Sequence, residues 1–490
     1  MCLIISRCGE YYARQADKKE HSMRTTACTS ILTEKEKALI HNAVLRILSE
    51  VGLCIENEGM LDKIAGAGGI VDKDRMLVRF APDYVERFIE ESDKFDWENV
   101  KPVVSAGGDI FQGHYLDPET GEYIPWTEKL LAGYSKLAQK LEHVGRAGML
   151  GCPIAEIDRR IVPLYQRYYC WKYNMGSGGS IWDTRLCPFI IEMTEEMARA
   201  TGKDFKDYFG AMVFYTSTLK LPRSEAEQFV YFAERGLPVS LSSMTSAGGS
   251  APVTLAGAVA EHLSEVMASN IIQRIYYGGK NMHLSSTIAP YDMRTLMYAY
   301  GRPERQILNL IVSDMAKHYK VGFHGHGGHT DAKKPSAEAG AQRALTTIPT
   351  LMACGRTYIG AGKLSMDEIG SPIQMVIDNE YIGALKRFAA GCEINDETLA
   401  VDVVKEVGPG KLFIDHEHTA SHFRSELWEP KVWTREMFSG WLASGAKTDV
   451  DKAKEIYHEI MVGPDIPPSI SSDTEKRLRT IMKRAAKAVE

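Results

Sequence analysis

The chain lacks the features that mark membrane, secreted and nucleic-acid-binding proteins. No apolar run approaches the roughly 18 residues needed to span a bilayer. The formal net charge is −6 and the pI is near 6.2, so a nucleic-acid-binding role has no electrostatic support. The nine cysteines (Cys2, Cys8, Cys28, Cys54, Cys152, Cys170, Cys187, Cys354 and Cys392) are odd in number, scattered, and form no CxxC pair. That pattern argues against a zinc or disulfide framework and for a reduced, cytoplasmic setting. The opening apolar run, residues 2–5, is too short for a signal-peptide core and has no basic leader. Met23 is an alternative start, and residues 1–30 are expected to be disordered.

What is present is an ordinary globular composition: 490 residues, 44% hydrophobic and 25% charged, enough for two or three domains or one barrel with insertions. Thr33 with Glu36 three residues on makes a capping box, and Leu39, Ile40, Ala43, Val44, Ile47 and Leu48 fall on one helical face. Helical and short β signals continue to about residue 125. From Thr127 short apolar strands alternate with amphipathic helices. The strand candidates are 147–150, 175–181, 211–216, 239–242, 275–277 or 283–285, 322–324, 357–361 and 374–376. About eight strand–helix pairs in series predict an α/β fold, a TIM-type (β/α)8 barrel with an N-terminal helical extension and a helical C-terminal tail. The expected boundaries are 31–126 for the N-terminal region, 127–430 for the barrel and 431–490 for the tail. An open doubly wound sheet is the alternative, weakened because no GxGxxG follows an early strand.

In a barrel, chemistry belongs at the C-terminal ends of the strands. The richest such segment is His324-Gly325-His326-Gly327-Gly328-His329, followed by Thr330-Asp331-Ala332-Lys333. Spacing two on a strand end points His324 and His326 to one side, as in paired metal ligands. No HExxH and no carboxylate-rich ligand set accompanies them, so no metal is assigned; substrate contact and plain structural hydrogen bonding are the competing roles. The loop 242–254 carries Gly248 and Gly249, which either admit a ligand's close approach or form a plain turn before a helix. Near residue 416 three histidines and an arginine crowd together: His416, His418, His422 and Arg424, followed by Trp428-Glu429-Pro430. On a helix His418 and His422 share a face. Aromatic candidates at strand ends are Trp182, Phe214, Tyr215, Tyr277, Phe323 and Tyr358, any of which also serves as core.

Taken together, the 246–257 loop, the Thr330–Lys333 stretch with Ala339-Gly340, and the 416–430 segment resemble the trimethylamine methyltransferase family over nearly all of the chain from about residue 30. The resemblance implies a barrel enzyme that passes methyl groups from methylamines to a corrinoid protein. True trimethylamine enzymes carry pyrrolysine near the stretch matching Thr330–Lys333, and this chain has none. Relatives without it act on glycine betaine, proline betaine, carnitine or similar quaternary amines, whose nitrogen has no lone pair for an adduct. That class is therefore implied, with glycine betaine first. Substrate contact is then expected from His324, His326, His329, Phe323, Tyr215, Trp182 and Tyr358, through cation–π attraction and charge-assisted hydrogen bonds. His416, His418, His422, Arg424, Gly248 and Gly249 are expected to face the corrinoid or to be structural. No DxHxxG signature for cobalamin occurs, so no cofactor is expected to be tightly bound, and cobalamin would arrive on its partner. Barrels of this size commonly self-associate, which leaves a homo-oligomer open. Two other readings stay open: a catalytically silent barrel that docks a corrinoid protein, and a metal-dependent hydrolase using the His324 pair.

Overall fold

A computed structural model describes residues 30–490; the expectations about a Met23 start and a disordered leader fall on residues outside that range. From Ser30 onward the chain is tied down. The Ser30 hydroxyl and the Ile31 and Leu32 amides all donate to one oxygen of the Asp314 carboxylate, at 2.8, 2.7 and 2.9 Å. Thr33 and Glu36 form the capping box of the Glu34–Arg46 helix, which buries Ile40, Val44 and Leu45; Leu39 of the predicted face stays exposed. The strand Leu53–Ile55 pairs antiparallel with Leu77–Arg79 and parallel with Lys220–Leu221, which stitches this N-terminal unit to the body.

The body is a mixed α/β assembly of parallel strands alternating with helices. One run orders His326–Gly327, Arg356–Gly360, Val103–Ile110 and Ala147–Met149 side by side, all parallel. Arg356–Gly360, late in the body, therefore returns to Val103–Ile110 at its start, with Tyr358 opposite Ser105. Met212–Tyr215 pairs with Ser240–Ser243, and His283–Ser285 with Gly322–His324. Two expectations need correction. The first parallel strand is Val103–Ile110, inside the region expected to precede the barrel; its Ala-Gly-Gly-Asp centre carries no apolar strand signature. Residues 374–376 belong to the helix Pro372–Ala390, not to a strand.

The closed ring predicted from the sequence is not drawn by continuous backbone pairing. The main parallel strands form three arcs; side chains fill the joints between them, at the second beside a short ladder in which Ser246–Ala247 pairs parallel with Ala289 and Pro290. At the first joint, residues 175–181 form no strand. The buried Gln166 amide donates to the Met149 carbonyl (2.7 Å) and accepts from the Gly179 and Ser180 amides. Arg167 donates to the carbonyls of Ser180 (2.7 Å) and Gly210 (2.6 Å). At the second joint the Leu255–Tyr277 helix, with fourteen buried residues, feeds polar side chains to strand edges. Asn270 accepts from the His283 amide (3.1 Å) and donates to its carbonyl (3.0 Å). Gln273 brackets the Leu241 peptide in the same way at longer range, and His262 meets the Ser285 carbonyl at 2.8 Å. A side-chain amide offers one donor group and one acceptor, as a peptide does, so it satisfies an edge that would otherwise be buried unpaired.

Beyond the body the chain continues as short helices to residue 447 and then packs back. The Asp449–Val462 helix is anchored where Lys136 donates to the Met461 and Gly463 carbonyls. The Ser472–Ala488 helix buries Leu478, Ile481, Met482 and Ala485. Among the described residues no helix is long and apolar enough to cross a membrane.

Candidate active site

Toward the C-terminal ends of the parallel strands a carboxylate, a lysine and an arginine meet a file of aromatic rings that starts lower, at His283, the first residue of its strand. The carboxylate is Asp109 on Val103–Ile110, which accepts a hydrogen bond from the Tyr358 hydroxyl on the adjacent strand. Glycines make room for it. A Cβ at Gly107 would lie 2.7 Å from the Tyr358 hydroxyl, one at Gly148 would lie 2.5 Å from Asp109 Oδ1, and one at Gly360 would collide with the Lys363 side chain. Three neighbouring strands thus give up side chains so that Asp109, Tyr358 and Lys363 can share one layer. Lys363 Nζ pairs with Asp367 at 2.9 Å. Burial raises the Asp109 carboxyl, against the opposing pull of Lys363 and the Tyr358 hydrogen bond.

The opposite wall is a file of rings. Centroids lie 6.3 Å apart from His283 to His324, 4.8 Å to His326 and 6.2 Å to His329. The file continues 5.0 Å to Tyr300, 5.9 Å to Tyr298 and 4.8 Å to Tyr291. Strand alternation explains its start, since His324 and His326 face one way and Phe323 the other. Gly328, at φ +72°, turns the chain after the strand, and the buried Arg343 holds its carbonyl at 2.7 Å. Asp331 fixes Tyr300 by accepting from the Tyr300 and Gly301 amides, both at 2.9 Å. Burial pushes His283 down to about 3 and lowers His324; it holds His326 and His329 well below the ordinary imidazole value, with Arg305 and Lys363 adding repulsion at both. These imidazoles are neutral at physiological pH. Arg305 donates to Ser286 Oγ and to its carbonyl (3.2 and 2.8 Å), and burial pushes the guanidinium down to about 10. Among the described residues no three His, Cys, Asp or Glu side chains are grouped as metal ligands.

Several predicted residues fall on this site and several do not. His324, His326, His329 and Tyr358 form its walls. Trp182 and Phe214, 54% and 40% exposed, stand at the open rim. Tyr215 and Phe323 are corrected: each sits one residue out of register with the facing side chains and turns into the core. Tyr215 reaches the Glu265 carbonyl and Ser269, and Phe323 lies under Gly325. Tyr277 lies at the far end of its strand–helix unit, donating to the Leu237 carbonyl. A Cβ at Gly248 would lie 2.9 Å from Met293 Sδ, and one at Gly249 would lie 2.7 Å from the Tyr291 ring. Those glycines seat the hairpin that carries Tyr291 and Tyr298. The 416–424 cluster is elsewhere. His416 caps the Glu417–Glu426 helix, His418 and His422 stack at 4.2 Å as their spacing predicts, and Arg424 lies over Phe423. This helix is held at the late end of Pro372–Ala390, where Arg387 donates to the Glu426 carbonyl at 2.7 Å. Because that helix runs back from the strand C-termini, the cluster sits at the opposite end from the site.

The sequence reading missed Asp109, Lys363, Arg305 and the tyrosines 291, 298 and 300. The Tyr298-Ala299-Tyr300-Gly301 run was the one available signal. A buried pair was missed as well. Glu261 and Glu265 lie one turn apart on Leu255–Tyr277, and Glu265 accepts from the Leu219 amide (2.8 Å) and the Thr245 hydroxyl (3.0 Å). Burial first, and Glu265 second, push the Glu261 carboxyl up to about 9.

The profile described as Trimethylamine methyltransferase (MTTB) matches residues 7–105 and 115–489. The chain belongs to that family. Written without pyrrolysine, it stands among the members that lack this residue. It is 27% identical over 439 residues to trimethylamine methyltransferase MttB of Desulfitobacterium hafniense (strain DSM 10664 / DCB-2), covering 86% of this chain and 87% of that one. To MttB of Methanosarcina barkeri (strain Fusaro / DSM 804) it is 29% identical over 481 residues, covering 94% and 96%. To the glycine betaine methyltransferase of Desulfitobacterium hafniense (strain Y51) it is 25% identical over 483 residues, covering 94% and 98%. The crystal structure of the Methanosarcina barkeri monomethylamine methyltransferase (MtmB) aligns over 97% of this chain and 98% of that one, at 11% identity and a TM-score of 0.40. That likeness is too loose to bear on the fold.

Proposed function

We propose that this member of the methyltransferase family takes its methyl group from a quaternary amine bearing a carboxylate, glycine betaine first, and passes it to a corrinoid carried on a separate protein. The scaffold in this reading is one TIM-type barrel of eight units, loosened at two joints where side chains replace the ladder or stand beside a short one. The observation that carries the proposal is the pairing of a file of neutral aromatic rings with a buried carboxylate, both within electrostatic reach of Lys363. Ring faces attract a quaternary ammonium by roughly 0.5–2 kcal/mol each, and ionised Asp109 adds a full opposite charge. Neutral imidazoles avoid repelling the cation. Arg305 and Lys363 supply donors for the carboxylate at the other pole of a betaine.

The chemistry asks little covalent work of the protein. The corrinoid supplies a cobalt(I) nucleophile; the carbon–nitrogen bond breaks, and the nitrogen keeps the electron pair and leaves as a neutral tertiary amine. The residues named here bind the cation, aim one methyl group toward the open rim, and exclude water around the breaking bond. A quaternary nitrogen is already a cationic leaving group and needs no adduct to a special side chain, which agrees with the missing pyrrolysine.

The test is methylation of cob(I)alamin followed by absorbance, with glycine betaine, proline betaine, carnitine, γ-butyrobetaine and trimethylamine offered separately. Methylcob(III)alamin formed with a betaine and not with trimethylamine is the expected result. Activity with trimethylamine alone overturns the substrate class. Silence with every amine, even after a corrinoid protein is added, overturns the enzymatic reading in favour of a docking scaffold or a hydrolase.

A further inference from the structure

Away from its root at Val432, which is buried in the body's core, the chain between 392 and 447 has a shape but almost no core. Its helices Asp396–Leu399, Glu417–Glu426 and Phe438–Ala443 bury no residue, and Val401–Val407 buries only Val407. Helices this short do not persist alone in water. Between 388 and 442 thirteen large apolar side chains are exposed, among them Leu412 at 75%, Ile414 at 81%, Leu427 at 68% and Met437 at 82%. Local bonds hold the arm's form. The Thr419 hydroxyl donates to the Phe413 carbonyl (2.6 Å), and the Trp441 indole donates to the Lys447 carbonyl (2.9 Å). Its root is fixed to the body. The buried Glu380 carboxylate accepts from the Lys431, Val432 and Trp433 amides at 2.8, 2.9 and 3.2 Å. Beside that root lies a cavity of about 330 Å³ lined by His143, Gly383, Arg387 and Trp428.

An arm that is ordered and apolar, yet covered by its own chain only at Val407 and at its root, Val432, is completed by something outside it. We propose that the occupant is a second copy of this chain, with the 392–447 arms of two copies packed on each other. Three features favour this occupant. The exposed side chains offer on the order of 1,000 Å² of apolar surface, against roughly 800 Å² per partner in a stable interface. Charges of both signs flank them, Lys405, Arg424 and Arg435 beside Glu406, Glu417 and Glu436, so the surface can match itself in a two-fold, isologous contact. The arm also springs from the end of the body opposite the strand C-termini. A methyl acceptor docked there would not face the site, whereas a second copy leaves the mouth open.

The test uses the full chain, light scattering from sub-micromolar to tens of micromolar, and hydrogen exchange of the 396–443 amides. The expected result is a dimer or a larger closed assembly whose arm amides exchange slowly, and exchange faster as dilution lowers the mass. The double variant Ile414→Glu, Leu427→Glu alters two exposed side chains. It should weaken association about tenfold or more and speed arm exchange, while the far-ultraviolet spectrum stays unchanged. The dilution series needs no variant and stands even if this one misfolds. A monomer at tens of micromolar overturns the proposal. So does an assembly whose arm exchange ignores both dilution and substitution. Arm protection that arises only on adding a corrinoid protein overturns it in favour of that partner.

Discussion

At the residue scale, Asp109 and Glu261 are both buried carboxyls lifted above their ordinary range, but they serve opposite ends. Asp109 faces the aromatic wall, so a bound ammonium favours its ionised form. Amine binding should therefore weaken as pH falls and the carboxylate takes up a proton. Asp109→Asn should raise KM for the amine roughly tenfold to a hundredfold and flatten its pH dependence, leaving the fold intact. An unchanged KM would remove Asp109 from the cation site. Glu261 lies behind the strands and keeps a proton up to about 9, whereas the unfolded chain releases it near 4.5. Between those values the folded state binds more protons than the unfolded one, so this group's contribution falls as pH rises, by up to about 1.4 kcal/mol per unit. Glu261→Gln removes the ionisation. Its stability relative to wild type, read from urea unfolding at several pH values, should therefore improve steadily toward alkaline pH. A difference that stays flat with pH would mean that Glu261 is ionised in the fold. The histidine wall was legible in the sequence because spacing two on a strand fixes a shared face. Asp109 was not, because Val103–Ile110 holds Ser-Ala-Gly-Gly where an apolar strand would show. Tyr215 and Phe323 were misplaced by one residue of register, which composition cannot resolve in a strand buried on both faces.

At the element scale, the alternation of strand and helix was readable from period and turn residues, but the joints were not. A strand that is replaced by Gly176-Ser177-Gly178-Gly179 and satisfied by the helix before it looks, in sequence, like any glycine-rich strand. The evidence for its real partner is Arg167, fully buried, donating to the Pro163, Ser180 and Gly210 carbonyls. Burial pushes its guanidinium down to about 10, so it stays charged at neutral pH. Arg167→Met fills similar space and leaves the Ser180 and Gly210 carbonyls without their guanidinium donors, since Pro163 keeps its helical backbone bond. It should cost about 3 kcal/mol or more in urea unfolding at neutral pH, and the loosened rim should lower methyl transfer as well. A cost below about 1 kcal/mol would mean that the joint is held by Gln166 alone. The second joint obeys the same logic. Asn270 stands in for a missing neighbour along the His283 peptide, and its helix is buried on most sides, polar residues included, because it is wedged among other elements rather than laid on the surface.

At the scale of the whole molecule, two groups of exposed apolar side chains bear on the proposed chemistry, the arm at one end and the rim of the site at the other. The rim draws on several segments in turn: Trp182, Phe214, Val253, Met293, Leu296 and Met297 are all exposed. None of them belongs to the ring wall or pairs with Asp109. Under the proposed function, this rim is where a corrinoid protein would seat itself so that cobalt meets the bound methyl group, whereas free cobalamin needs only the opening. The two acceptors should therefore respond differently to one substitution. Leu296 sits in the left-handed region at φ 55°, a conformation that aspartate adopts more readily than leucine, so Leu296→Asp puts a charge on the rim without straining the hairpin. With a cognate corrinoid protein as acceptor, kcat/KM should fall about tenfold or more through a weaker KM, since charge placed in an apolar docking patch costs roughly 1–3 kcal/mol. With free cob(I)alamin and the same amine, the rate should change less than about twofold, because surface substitutions away from the reacting groups shift energies by under roughly 0.5 kcal/mol. An equal loss with both acceptors would place Leu296 within reach of the amine, and no loss with either would move the docking surface off the rim.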